Sequence, residues 1–264
     1  MTGTDSAGTP WAGRALSGTG FDADDGAADP AWLAALAEVQ RRPSADADAL
    51  LVRTAAAARW LVPVVAVLDE TDEGAHGHTV DKQTDMALVT LTGPDGRRAL
   101  PVFTSVEALA AWDVTARPVP VTAARAARAA VAEGCYVAVV DLGGEAPTEL
   151  RPSMLWALAQ ETEWHPAHTD PFVAQSVSRA IAEEGDILTH RLEEGEPSGS
   201  GVLRVVLGLP AGMPAESVQA LATRVGEQLA TDGELRARVD ELTFAVEAVH
   251  PPAERPTSVP KSAE

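Results

Sequence analysis

The first half of the chain carries apolar positions at helical and strand spacing, beginning near residue 29. Asp29 followed by Pro30 is typical of a helix start, because aspartate caps free amides and proline fits the first turn. The continuous apolar run 61–68 predicts a strand buried on both faces. Further strands are predicted at 86–91, 97–103 and 135–142, and at most an edge strand at the proline-broken 117–121, with helices after 103 and between 121 and 135. The pattern predicts a mixed sheet of about five strands flanked by helices.

Turn and cap residues define the local connections. Gly93-Pro94-Asp95-Gly96 predicts a tight turn that joins 86–91 and 97–103 into a hairpin, since proline and glycine supply the required backbone angles. Thr104-Ser105-Val106-Glu107 fits a capping box at the start of the next helix. Thr122 is predicted to cap an alanine-rich helix that ends at Gly134.

The second half predicts a compact α-β-β-α-β unit. Its elements are a helix at 172–183, strands at 187–192 and 202–209, a helix at 215–230 and a strand at 242–249. The predicted fold class is therefore α/β, or α+β: a mixed sheet flanked by helices, followed by this smaller unit. The predicted divisions are a disordered tail at 1–28, a domain at 29–163, a linker at 164–171, a domain at 172–250 and a disordered tail at 251–264.

Charge and cysteine content restrict the partners and the compartment. The 264 residues carry a formal net charge of -19, which repels phosphate backbones and anionic membranes, so neither nucleic acid nor a membrane is an expected partner. The single cysteine, Cys135, excludes an intrachain disulfide, and no apolar run reaches membrane-spanning length. These features predict a cytoplasmic protein.

Three segments of the first half carry a family resemblance: 61–65, 84–87 and above all 91–105, which reads LTGPDGRRALPVFTS. Together with 117–121, 133–135 and 155–158, they resemble the SseB-like family of actinobacteria, over roughly residues 45–165. The N-terminal domain of this family also occurs in the enterobacterial enhanced serine sensitivity protein. The resemblance implies an α/β fold and a bacterial cytosolic protein. It implies no reaction and supplies no catalytic residues.

Sequence signatures of catalysis are weak. His76, His78 and Asp81 are weak candidate metal ligands in an acidic loop, but a solvated loop is the favoured interpretation, and no cofactor is predicted. Cys135 opens a buried strand, which favours a packed thiol over a reactive one. Ser105 lacks the Gly-x-Ser-x-Gly frame of a nucleophile elbow. No catalytic residue is predicted, and the sequence favours a protein that is not an enzyme without deciding the point.

One set of residues around the predicted hairpin is a candidate binding surface. Arginine beside an exposed aromatic side chain is a common anchor for a peptide or a protein loop. Ordinary surface ion pairs are the alternative explanation. The candidate residues are Asp85, Arg97, Arg98, Phe103, Thr104, Ser105, Trp112 and Arg117.

Three functional hypotheses follow. The leading one is a non-catalytic module that binds another protein or a peptide. The second is a small-ligand receptor or enzyme with its site at strand ends near Asp69, Asp141 and Gly143, where open α/β sheets bind ligands. The third is a homodimeric scaffold that pairs through the strand at 202–209.

Overall fold

A computed structural model describes residues 21, 24–68, 84–145 and 147–249. The helices are α1 (Pro30–Arg41), α2 (Ala45–Ala57), α3 (Val106–Trp112), α4 (Ala123–Ala132), α5 (Pro152–Gln160), α6 (Pro171–Ile181), α7 (Ala215–Thr231) and α8 (Gly233–Arg238). The strands are β1 (Arg59–Leu68), β2 (Thr84–Leu88), β3 (Leu91–Thr92), β4 (Arg98–Val102), β5 (Arg117–Thr122), β6 (Val137–Val140), β7 (Thr148–Leu150), β8 (Thr189–Glu194), β9 (Val202–Pro210) and β10 (Glu241–Val249). The predicted mixed α/β class is confirmed.

Contacts divide the chain into two compact units, each assembled from two stretches of sequence. Unit 1 draws its described residues from Met1–Ala34 and Thr54–Leu150, and unit 2 from Ala35–Arg53 and Arg151–Glu264. The predicted domains are continuous stretches, whereas the contacts group Ala35–Arg53 with the second half of the chain. Among the described residues, no helix has the length and apolar character needed to cross a membrane.

Unit 1 contains two small sheets where the sequence predicts one sheet of about five strands. The first is antiparallel, in the order β2-β1-β5, and the second has the order β3-β4-β6-β7 with β4 and β6 parallel. The predicted strand at 86–91 is wrong, because it divides into β2, which pairs with β1, and β3, which pairs with β4. Two residues between β2 and β3 thus carry the chain from one sheet to the other. An isolated bridge between Leu61 and Phe103 links the two sheets.

Helix caps in unit 1 follow the local sequence closely. Asp29 accepts the amide of Ala31 at 2.7 Å where α1 begins, and Thr122 accepts the amide of Arg125 at the start of α4. The cap of α3 is Ser105, which accepts the amide of Ala108 at 3.0 Å. The capping box predicted from Thr104 is therefore displaced by one residue, because Thr104 bonds elsewhere.

The core of unit 1 combines a few large aromatic side chains with many alanines. Trp32 and Trp60 are buried and stack with ring centroids 6.2 Å apart. One face of α4 is buried through alanine alone, which allows a close approach of helix and sheet. A second cluster lies around Phe103, which packs with Leu61, Leu109 and Ala116.

From α6 onward, unit 2 has the predicted α-β-β-α-β order, with the short helix α8 added before the last strand. Unit 2 also contains α5 and the helical residues of 35–53. Its sheet has the order β10-β9-β8, with β9 parallel to β10 and antiparallel to β8. One face of β9 packs against α6 and α7 through a cluster of fully buried aliphatic residues: Val173, Val177, Leu203, Val205, Leu207, Leu221 and Val225.

The central position of β9 corrects one prediction. Both edges of β9 are already paired, with β8 through six residues and with β10 through nine. A strand at 202–209 therefore has no free backbone edge through which a second copy could pair. The predicted route to a homodimer through this strand is wrong, since backbone hydrogen bonds of a central strand are used within the sheet.

Candidate functional site

The predicted binding residues do not form one surface, because β4 separates them. Arg97 and Arg98 lie where β4 begins, and Phe103, Thr104 and Ser105 follow its end. At about 3.3 Å per residue the two groups are more than 10 Å apart. The structure brings together the residues near the start of α3 and keeps the two arginines apart from them.

Each of the two arginines already has partners close by. Arg97 forms an exposed ion pair with Asp95, and its guanidinium lies 4.8 Å from the ring centroid of Tyr136. The hydrogen bond from Arg97 holds the pKa of Asp95 below its ordinary value. Arg98 donates to Thr90 Oγ1 at 2.8 Å and to the carbonyl of Glu133. These contacts pin the hairpin to the strand and helix ends beside it.

The residues at the other end of β4 are mainly buried. Phe103 is 1% exposed, so it cannot serve as the exposed aromatic anchor that the sequence suggested. Its ring packs against half-buried Trp112, with centroids 5.3 Å apart. Thr104 donates its amide and its hydroxyl to the two carboxylate oxygens of Asp141, both at 2.8 Å. The amide and the hydroxyl of Thr104 thus bond the segment that follows β4 to Asp141, the residue that follows β6.

Asp141 itself has an unusual backbone. Its φ is +52°, a left-handed conformation that non-glycine residues seldom adopt, and its amide donates to the carbonyl of Val102 at 2.9 Å. It follows the parallel strands β4 and β6 at their carboxyl ends, where the second hypothesis placed a ligand site. Because its carboxylate oxygens both accept bonds from Thr104, Asp141 acts here as a structural tie. The second hypothesis stays a prediction.

The remaining predicted residues lie at other positions. Arg117 is exposed at the start of β5 and is paired with Val64 of β1, while Asp85 belongs to β2 and is paired with Val67. The candidate metal ligands His76, His78 and Asp81, together with Asp69, lie outside the described residues. Within the described ranges no group of three or more metal-binding side chains is found.

An open groove of about 290 Å³ lies in unit 1 beside the Phe103 cluster. We call it the unit 1 groove. Leu61 lies at its base but is only 2% exposed, because it belongs to that cluster, and Val106 forms a wall with 43% of its surface exposed. The residues that line it are Phe21, Asp24, Asp25, Gly26, Leu61, Val106, Pro118 and Pro120. The groove therefore combines apolar walls with two aspartates.

Arg59 holds the N-terminal wall of this groove in place. Its guanidinium, in a side chain only 11% exposed, contacts Asp24 at 2.6 Å and donates to the carbonyls of Ala27 at 2.6 Å and Thr104 at 2.9 Å. The carbonyl of Gly26 accepts the amide of Val106 at 2.9 Å. Gly26 has a φ of +80°, and a Cβ there would lie 2.8 Å from Val106, so glycine allows this approach.

The opposite wall is the outer edge of β5, with which no other strand pairs within the described residues. Leu61 exchanges backbone bonds with Phe103, so Leu61 and Pro63 direct their backbone groups away from β5 while Val62 bonds to Val119. Pro118 and Pro120 alternate with Val119 and therefore face outward. Proline has no N–H, so this edge offers carbonyl acceptors and no donors at these two positions.

A second cluster of charged side chains lies inside unit 2. Arg151 donates to Asp48 and to Asp240, each at 2.9 Å, and to the carbonyl of Gly199 at 3.1 Å. Asp240 also accepts the amide and hydroxyl of Ser153, at 2.8 and 2.9 Å. Trp164, in the predicted linker, donates to the same Ser153 hydroxyl at 3.0 Å.

Burial sets the protonation of this Arg151 cluster. Burial raises the pKa of Asp48 above its ordinary value. The charge and hydrogen bond of Arg151 lower this pKa but do not compensate, and the negative charges of Asp240 and Glu194 raise it further. Burial also lowers the pKa of Arg151, but the two carboxylates outweigh it and leave that pKa raised. The adjoining cavity is about 20 Å³, room for a water molecule and not for an organic ligand. The cluster therefore has a structural role, as a set of paired charges rather than a ligand site.

Two features of these clusters were missed from sequence, for different reasons. Arg59 begins the apolar run of β1, and a charged residue at the start of a buried strand is a signal that could have marked it. The link between Asp48 and Arg151 joins residues 103 positions apart, and no local pattern reveals such a pair.

Comparison with known proteins identifies part of the chain. The described residues form a mixed α/β protein with small sheets. Its two main features described above are the unit 1 groove and the buried Arg151 cluster. Residues 33–157 match the family model of the SseB protein N-terminal domain. The predicted resemblance is thereby confirmed. Searches of curated proteins and of solved structures found no match.

Proposed function

We propose that this protein is a non-catalytic module that binds a protein or peptide segment, and that the unit 1 groove is its binding site. The observation that carries the proposal is the combination of an apolar floor with a rim of hydrogen-bond acceptors. An apolar pocket surrounded by a few placed polar groups is the usual form of a recognition site.

The chemistry of the rim defines the segment that would bind. Asp24 and Asp25 supply carboxylates, and outward-facing Pro118 and Pro120 supply carbonyls without amides. A second β-strand is disfavoured there, because two of the donors needed for a ladder are missing. The rim instead favours side chains that donate, so the expected ligand places a leucine-sized residue against Val106, which is 43% exposed, with arginine or lysine beside it.

A binding experiment with defined peptides tests the proposal. Fluorescence anisotropy would compare a labelled peptide of alternating arginine and leucine with one in which glutamate replaces arginine. We expect the arginine peptide alone to bind. Val106→Lys, which brings a cation into the groove, should weaken binding at least about tenfold, or about 1.4 kcal/mol.

The matched control is Val114→Lys, since Val114 is 85% exposed on the segment after α3 and does not line the groove. Both variants add the same charge to unit 1, so a general electrostatic attraction to an acidic protein would weaken equally in each. Equal losses, binding of the glutamate peptide, or no binding of either peptide would refute the groove as the site.

A further inference from the structure

The two free edges of the unit 2 sheet differ sharply in character. Edge strands of monomeric proteins are usually protected by charged side chains, proline or a bulge. The β8 edge has such protection, because His190, Arg191, Glu193 and Glu194 make up four of its six residues. The β10 edge reads ELTFAVEAV, with no proline, no lysine, and an unbroken register of nine pairs to β9.

The direction of the backbone groups on β10 follows from the ladder. The amide of Gly195 donates to the carbonyl of Val202 at 2.8 Å, so even-numbered residues of β9 face β8 and odd-numbered ones face β10. In the parallel pairing of β9 with β10, odd-numbered residues of β10 then bond to β9. The amides and carbonyls of Leu242, Phe244, Val246 and Ala248 therefore point outward, and within the described residues no strand pairs with them.

We propose that β10 pairs antiparallel with β10 of a second copy of this chain, about a two-fold axis at Ala245. Full overlap of the nine residues with outward groups facing each other fixes this register. Phe244 then lies opposite Val246 of the other copy, and Leu242 opposite Ala248. These pairs exchange both backbone hydrogen bonds, and Val246, 46% exposed in the single chain, becomes covered by an aromatic side chain.

The charges on the other face of the sheet permit this register. Glu241 lies opposite Val249 and Thr243 opposite Glu247, so no two like charges are directly opposed. Glu247 is also bonded to Arg191 at 2.5 Å, which holds the pKa of the carboxyl below its ordinary value. The acidic chain as a whole repels its copies, and the ion pair of Glu247 with Arg191, which Arg191 shares with Glu193, reduces that repulsion where the copies meet.

Sedimentation equilibrium of the full chain tests the pairing. We expect a dimer, and we expect Val246→Lys to raise its dissociation constant at least about tenfold, because the lysine would lie against Phe244 of the other copy. Leu188→Lys is the matched control, since Leu188 is 47% exposed but lies before β8. A full chain that stays monomeric, or two variants that dissociate equally, would overturn the proposal.

A disulfide tests the register itself. With Cys135 replaced by alanine, Ala245→Cys should cross-link two copies under mild oxidation, because the two-fold axis places residue 245 opposite itself. Thr243→Cys should not, since the two copies of residue 243 would be separated by about 13 Å along the strands. A dimer that cross-links through residue 243 and not through 245 would rule out this pairing.

Discussion

At the residue scale, the Arg151 cluster shows how a buried cation can organise a fold. Arg151 is 15% exposed and Asp48 only 4%, and their hydrogen bonds also involve Asp240 and the carbonyl of Gly199. A fully paired cluster of this kind contributes little net free energy, but a carboxylate left unpaired in it is costly. Removing one member of the cluster should therefore change the free energy of unfolding more than the net contribution of the intact cluster suggests.

Arg151→Ala should lower the free energy of unfolding by about 3–5 kcal/mol, because Asp48 and Asp240 would be left buried beside each other without a cation. Urea unfolding followed by circular dichroism measures the change. Arg224→Ala is the control: Arg224 forms a paired but exposed contact with Glu184, and its loss should change stability far less. Similar effects of the two substitutions would contradict a buried role for Arg151.

The pH dependence of stability should carry a contribution from Asp48 opposite to that of most carboxylates. Burial raises its pKa in the folded state, so folded Asp48 holds its proton more tightly than the unfolded chain does. Its contribution is fully present below about pH 4 and is lost as the pH rises through the raised pKa. The stability of the wild type relative to Asp48→Asn should therefore be greater at acid pH than at pH 7.

Urea titrations of both proteins across this range would measure that difference. A difference that is constant with pH, or one that favours the wild type more at pH 7, would show that Arg151 and not burial controls the protonation of Asp48.

At the element scale, the segment before α1 is an unexpected part of unit 1. The sequence predicts a disordered tail at 1–28, and the described part of it is residues 21 and 24–28. Two aspartates and small residues are typical of disorder, but within this part Asp24 and the carbonyl of Ala27 are bonded to the largely buried Arg59. The tail as a whole stays a prediction.

Arg59→Met should release this segment while keeping the aliphatic part of the side chain. The amide of Val106, which donates to Gly26, should then exchange with solvent at least about tenfold faster, since local opening controls its protection. The amide of Leu109, which donates to Ser105 within the start of α3, is the internal control and should exchange as before. Unchanged protection of Val106 would show that the segment does not depend on Arg59.

Helix starts and the order of strands were predictable because their signals are local. Asp29, Thr122 and the turn at residues 93–96 act on backbone groups within three or four residues, and the structure contains all three features. The assignment of strands to sheets was not predictable. An apolar run such as 61–68 or 86–91 indicates that a strand is buried, but it does not indicate which strand pairs with it. The groove escaped prediction because its two walls, at residues 21–26 and 118–120, are far apart in the sequence.

At the scale of the whole molecule, the region that matches the family model, which we call the family region, and the two compact units begin and end at different residues. The match to the SseB N-terminal domain covers 33–157, which begins after Trp32 and ends before Asp240. Unit 2 needs both Ala35–Arg53 and the chain beyond Arg151. The family region thus contains parts of both units and all of neither.

A fragment limited to 33–157 should fail to unfold cooperatively. It lacks Trp32, which stacks on Trp60, and Asp24, which pairs with Arg59, and it leaves Arg151 without Asp240. Thermal unfolding by circular dichroism should show a broad transition for this fragment, whereas a fragment of 21–249 should melt sharply. A sharp transition and dispersed amide resonances for 33–157 would show that the family region folds alone.

The pairing of Asp48 with Arg151 has a consequence for the growing chain on the ribosome. The two residues are 103 positions apart, so at about 5–20 residues per second Asp48 emerges roughly 5–20 s before its partner is made. Asp240 follows Arg151 after a further 89 residues. Between the synthesis of Asp48 and that of Arg151, all of Thr54–Leu150 is synthesised, so unit 1 has its complete sequence by then. The stretch Ala35–Arg53 is therefore the first part of unit 2 to be translated, and the rest of unit 2, from Arg151 onward, is made only after unit 1.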